Sequence, residues 1–148
     1  MTLKIPPPIL FLGCLILIWF LPQTELPIPL IGRNIILGIF IIIGTIIAAF
    51  SLYGFYQAKT TINPHKPEKT STLVTGGIFR LSRNPMYLSL VIWLLAWTLF
   101  LATLWGLFVI IGFMFYLTEF QIKPEERCLA KKFGKQFQQY QQNVRRWI

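Results

Sequence analysis

The run YLSLVIWLLAWTLFLATLWGLFVIIGFMFYLTEF, residues 87 to 120, decides the architecture of this chain. It holds about 34 residues with a single charged side chain, Glu119, near its far end. As one α-helix it would extend about 51 Å at about 1.5 Å per residue, well beyond the roughly 30 Å of a bilayer's hydrocarbon core. The stretch is therefore predicted to double back as two helices with a tight turn near Ala102 to Gly106. Of the 148 residues, 55% are hydrophobic and 16% aromatic, and the mean hydropathy is +0.61. That is more apolar surface than a soluble domain of this size can hide in one core, so the chain reads as an integral membrane protein.

Working outward, a first apolar run from Pro7 to Leu21 begins at Pro6-Pro7-Pro8, where proline is tolerated only near a helix start. Pro22, Pro27 and Pro29 interrupt the pattern, so residues 22 to 32 are expected to connect rather than span. A second run, Ile35 to Tyr56, is long enough to cross unaided. Its Gly38, Gly44, Ala48 and Ala49 offer a small-residue face, which leaves a homodimer open. Residues 57 to 84 are polar and basic, with Lys59, His65, Lys66, Lys69, Arg80 and Arg83. Beyond Pro124 the pattern changes again. Leu129, Phe133, Phe137, Tyr140 and Val144 recur at helical spacing among lysines and glutamines, as in an amphipathic docking or interfacial helix.

The expected fold is all-α: a single-domain integral membrane bundle of about four transmembrane helices and a C-terminal amphipathic cytoplasmic helix. Residues 1–56 carry two spans, 57–84 a cytoplasmic loop, 85–120 the helical hairpin and 121–148 the C-terminal helix. Against 14 Lys+Arg stand 5 acidic residues. With cytoplasmic N- and C-termini, every basic residue except Arg33 falls on one side, as the positive-inside rule asks. Basic residues beside apolar runs fit anionic headgroups, so membrane lipids are expected partners and nucleic acid is not. Cys14, Cys128 and the lone His65 do not make a metal-ligand pattern.

Three constellations could carry chemistry. Thr75 to Tyr87 joins Gly76-Gly77 to Arg80, Arg83 and Asn84-Pro85. Paired glycines permit close backbone approach, Pro85 at a helix start leaves N–H groups free for an anion, and arginine pairs with carboxylate or phosphate. Glu119, followed by Pro124-Glu125-Glu126-Arg127, is the second, and Val144-Arg145-Arg146-Trp147-Ile148 the third. Each has an ordinary anchoring or helix-capping explanation beside the functional one. Glu119 stands apart, since an ionisable group at the end of a span implies a partner.

Leu73 to Arg80, continuing through Arg83-Asn84-Pro85-Met86-Tyr87-Leu88, resembles the T-G-P-Y-R-x-x-R-[HN]-P-x-Y-x-G signature of the isoprenylcysteine carboxyl methyltransferase family. That family is similar in turn to the phospholipid N-methyltransferases. Pro124-Glu125-Glu126-Arg127, then Phe133-Gly134, Phe137, Tyr140 and Val144 to Ile148, resembles its C-terminal motif. The resemblance covers roughly residues 58 to 148 and implies a membrane enzyme that binds S-adenosyl-L-methionine on the cytoplasmic side, between the last spans and the C-terminal helix. It implies cofactor-binding roles for Gly76, Gly77, Asn84, Pro85, Tyr87, Glu125, Glu126 and Phe133. Glu125 and Glu126 would take the amino group or ribose hydroxyls, N–H groups around Asn84-Pro85 the carboxylate, and Tyr87 and Phe133 the adenine or sulfonium.

The acceptor would be lipidic or membrane-embedded. A carboxylate acceptor needs an arginine to hold it, Arg83 or Arg146. An amine acceptor needs a base, Glu119 or Glu126. Carboxyl O-methylation of the isoprenylcysteine type is the expected reaction, with phospholipid amine N-methylation and a non-catalytic membrane subunit as the alternatives. Asn84 stands where the isoprenylcysteine enzymes have His, Gly77 where Pro is frequent and Ser89 where Gly is usual.

Overall fold

A computed structural model describes residues 5–24, 28–58 and 72–148. Lys4, Lys59, His65, Lys66 and Lys69, and with them most of the basic loop, lie outside the described residues. The helices are α1 (Pro7–Trp19), α2 (Leu30–Gln57), α3 (Pro85–Phe100), α4 (Gly106–Tyr116), α5 (Lys123–Phe133) and α6 (Lys135–Asn143). A 3₁₀ turn, Gly77–Arg80, precedes α3, and a π-helical turn, Leu117–Ile122, joins α4 to α5. No strand occurs among the described residues.

Prolines set three of the helix starts: Pro7 opens α1, Pro29 caps α2 and Pro85 opens α3. In each case the missing N–H would have lacked a helical partner anyway. The predicted hairpin is present. α3 turns back into α4 through residues 101 to 105, where Ala102 adopts a φ of 49°. Gly106 makes the turn close, since a Cβ there would lie 2.5 Å from Oγ1 of Thr98.

The segment after α1 is tied to that turn. The Thr24 backbone N–H and hydroxyl both donate to the Ala102 carbonyl, at 2.7 and 3.1 Å, and the Thr103 hydroxyl donates to the carbonyl of Pro22 at 2.9 Å. The C-terminal end of α1 therefore meets the hairpin turn. The C-terminal end of α2 lies at the other end, where Gly54 touches Phe79 just before α3. α2 packs along α3 with Gly44 against Trp93, where a Cβ would meet the indole at 2.6 Å, while a Cβ on Gly38 would have nothing within 4 Å. The small-residue face of α2 is thus partly used inside the chain.

Among the described residues two helices are long and apolar enough to cross a bilayer: α2, and the continuous helix Gly106–Phe133, each of 28 residues. Only 11% of the apolar window of α2 is buried within the molecule, so its isoleucines have lipid rather than protein to cover them. α1 and α3, read from the sequence as spans, have 13 and 16 residues, about 20 and 24 Å of helix.

Two expectations about the C-terminal third change. Pro124 does not open a new helix but lies within the one that begins at Gly106. It has no N–H for the carbonyl of Phe120, and its ring would crowd that oxygen. The helix widens into a π turn over these positions, which relieves the clash. The amphipathic segment is two helices rather than one, broken at Gly134 with a φ of 49°. Its apolar stripe survives the break. Phe137, Tyr140 and Val144 are buried with Phe79, and Leu129 and Phe133 pack against them, so this face is covered by protein.

Candidate active site

The site forms where the N-terminal end of α3, the start of α5 and the last residues of the chain converge. Three short backbone devices bring them together. The 3₁₀ turn carries Phe79 inward to 5% exposure, and the Tyr140 hydroxyl donates to the Phe79 carbonyl at 2.6 Å, fastening α6 to the turn. The Arg83 N–H donates to the Arg145 carbonyl at 3.0 Å. The Arg146 carbonyl accepts from the Asn84 side-chain amide at 3.0 Å and from the Ser82 hydroxyl at 3.3 Å. The chain end is thereby laced along the entrance to α3.

At the centre is Glu126. Its carboxylate takes a two-pronged bond from Arg146, Nε to Oε1 at 3.1 Å and Nη2 to Oε2 at 2.8 Å, and an ion pair from Arg83 Nη1 to Oε1 at 3.0 Å. The Arg83 and Glu126 side chains are 11% and 12% exposed and that of Arg146 31%, so this triad is largely withdrawn from water. Burial pulls the Arg83 guanidinium below its usual value, with Glu126 opposing, while the bonds from Glu126 push Arg146 up. Both remain cations, and the triad carries one net positive charge. An anchoring arginine keeps its head in water, which Arg83 does not do.

Glu125 has a different environment. It receives a long bond of 3.4 Å from the Tyr87 hydroxyl, and no lysine or arginine of the described residues pairs with it. It helps line a partly open cavity of about 70 Å³ together with Arg83, Asn84, Glu126, Phe79 and Tyr140. Arg83 adds Nε, buried and without a hydrogen-bond partner. A space of that size holds the polar end of a small molecule, not a whole nucleoside. On the other side of the triad an open groove is lined by Glu119, Lys123, Arg127, Gln141 and Arg146. Glu126 lines both.

Of the residues the sequence singled out, Arg83, Asn84, Glu125, Glu126 and Arg146 meet here. Pro85 starts α3 beneath them, fully buried. Tyr87 is buried and reaches the cavity only through its bond to Glu125. Phe133 packs in the apolar cluster behind the cavity wall. Glu119 pairs with Lys123 in the outer groove. Gly76 and Gly77 are exposed on a separate hollow near the end of α2, and Gly77 needs its freedom for a φ of 58°. Sequence reasoning missed Ser82 and took Tyr140 as a docking residue only. Both lie inside quoted motifs, but a buried hydroxyl and a solvated one have the same sequence signature.

The comparisons bear on this geometry. A family model for phospholipid methyltransferases matches residues 33–136. The chain belongs to that family. This phospholipid methyltransferase family member also resembles an uncharacterized protein of Haemophilus influenzae, 46% identical over 63 residues, 43% of this chain and 100% of that protein. No solved structure matches. The match takes in the α3 entrance and the paired glutamates and stops short of Tyr140 and Arg146.

Proposed function

We propose that this chain is a multi-pass membrane enzyme that transfers a methyl group from S-adenosylmethionine to a lipidic acceptor, with a phospholipid amine as the preferred acceptor class. The observation that carries the choice of acceptor is the ownership of charges. Of the two arginines that could hold a carboxylate acceptor of the isoprenylcysteine type, Arg146 alone lines the outer groove and spends Nε and Nη2 on Glu126, while Arg83 lines the cavity left to the cofactor. The acids are less committed, because Glu125 has no cation partner among the described residues and Glu119, which lines the outer groove, pairs with the exposed Lys123 rather than with a buried arginine.

The donor set fits the amino-acid end of the cofactor, which carries one carboxylate and one ammonium. Arg83 lines the cavity with a guanidinium for the first, and Glu125, without a cation partner among the described residues, with a carboxylate for the second. When bound, the cofactor supplies a methyl group on a sulfonium, open to in-line displacement. Phe79, Phe137 and Tyr140 exclude water from the cavity and offer ring faces to a cation. In the outer groove Lys123 and Arg127 suit a phosphodiester, and Glu119 can take the proton that an ammonium acceptor must lose before it attacks. Glu126, held by two guanidiniums, lines both spaces and serves as the wall between them. The chain would cross the membrane about four times, with both termini and the site on the cytoplasmic side, where most of its basic residues fall.

The test is direct. Purified protein in detergent should bind S-adenosylhomocysteine by calorimetry. With labelled S-adenosylmethionine it should label a phosphatidylethanolamine-type lipid and not an isoprenylcysteine analogue. Silence at millimolar ligand would remove the donor, and labelling of the carboxylate compound alone would reverse the acceptor choice.

A further inference from the structure

Among the attachments of the last five residues to the site, one carbonyl oxygen is held twice. Arg146 O accepts from both Asn84 Nδ2, at 3.0 Å, and Ser82 Oγ, at 3.3 Å, which occupies both its lone pairs. The two donors are themselves linked, because the Asn84 N–H donates to Ser82 Oγ at 3.1 Å. Ser82 is 1% exposed, so its hydroxyl has no water to fall back on. Two further contacts continue the lacing, Arg83 N–H to the Arg145 carbonyl at 3.0 Å and Trp147 Nε1 to Thr118 Oγ1 at 3.3 Å. The guanidinium that leaves this anchored backbone is the one that grips both oxygens of Glu126.

From this geometry we infer that Ser82 and Asn84 are positioning residues: they clamp the C-terminal strap, residues 144–148, so that Arg146 holds Glu126 as the wall of the cavity. Asn84 spends its amide donor on the strap, so its role toward a ligand is indirect. The departure from histidine then has a physical meaning. Imidazole Nδ1–H and the asparagine Nδ2–H stand at similar distances from the backbone, so either can donate to the same carbonyl, and neither protonation nor charge is needed. The inference rests on the methyltransferase reading only for its ligand readout.

The experiment uses the full chain in detergent, with Asn84→Ala, Asn84→His, Ser82→Ala, Arg146→Ala and the Asn84→Ala/Arg146→Ala double variant. S-adenosylhomocysteine is the probe, and trypsin cleavage after Arg146, followed by intact mass, reports release of the strap. Asn84→Ala is expected to bind about tenfold more weakly and Ser82→Ala several-fold more weakly, with Asn84→His near the parent. The double variant should bind no more weakly than Arg146→Ala, because residues acting through one contact do not add. Cleavage after Arg146 should quicken in both alanine variants at the clamp and stay slow in Asn84→His. Losses that multiply in the double variant, a His variant as impaired as Ala, or unchanged cleavage in both alanine variants would each overturn the clamp. If the parent binds no S-adenosylhomocysteine, the donor reading fails and the cleavage rates still judge the strap.

Discussion

At the scale of single residues, Glu126 decides most. It is the common counter-ion of Arg83 and Arg146, and Arg83 is buried deeply enough that it cannot turn to water instead. Glu126→Ala leaves that cation uncompensated and should cost about 3 kcal/mol of stability, whereas Arg146→Ala, at the more exposed partner, should cost about 1 kcal/mol. Chemical unfolding in a fixed detergent gives the order, and equal losses would contradict the burial argument. Tyr140 makes a second such test. Its hydroxyl donates to a buried carbonyl, so Tyr140→Phe should lose about 1 to 2 kcal/mol by orphaning that acceptor. Burial raises the Tyr140 phenol above its ordinary value near 10, despite Arg83 nearby. A raised acid favours the neutral form in the fold, so this contribution is complete below about pH 10 and fades only as pH climbs through the folded value. Neutral-range pH scans should not touch it.

At the scale of elements, α2 and the π turn make opposite predictions about tolerance. Gly44→Ala places a methyl 2.6 Å from the Trp93 indole and should loosen the α2–α3 pair, while Gly38→Ala meets open space and should be silent or slightly stabilising. A melting-temperature comparison of the two settles whether α2 docks as described. For the π turn, Pro124→Ala restores an N–H for the Phe120 carbonyl and removes the ring that crowds it. The turn can then close to ordinary α-helix, swinging what precedes it by about a residue's rotation, roughly 100°, relative to Glu125 and Glu126. Stability should hold or rise while S-adenosylhomocysteine binding falls. Unchanged binding would separate the π turn from the site. The hydrophobic stripe at Leu129, Phe133, Phe137, Tyr140 and Val144 was readable from spacing alone, and its burial against the 3₁₀ turn agrees. The breaks were not, because Gly134 fits a helix pattern unless one knows that its φ must be positive.

At the scale of the molecule, the hairpin turn and the site lie at opposite ends of the bundle. Reporter fusions at residue 65 and at the C-terminus should therefore fall on one side of the membrane, and an insertion between residues 102 and 104 on the other. A split between the first two would defeat the topology. Extraction should need detergent rather than salt, since most of the apolar face of α2 is left uncovered by the described residues.

The sequence alone determined the solvent, the helical class, the hairpin and the two groups of charged residues, because each depends on composition or local period: apolar length against bilayer thickness and proline against helix start. What only the tertiary structure decided is who holds whom. That Glu126 takes both arginines while Glu125 takes neither, and that Asn84 spends its donor on the chain end, rests on contacts between residues 20 to 62 positions apart. Nothing local encodes such pairings, since a carboxylate's partner is set by which side chains packing delivers to it within about 3 Å.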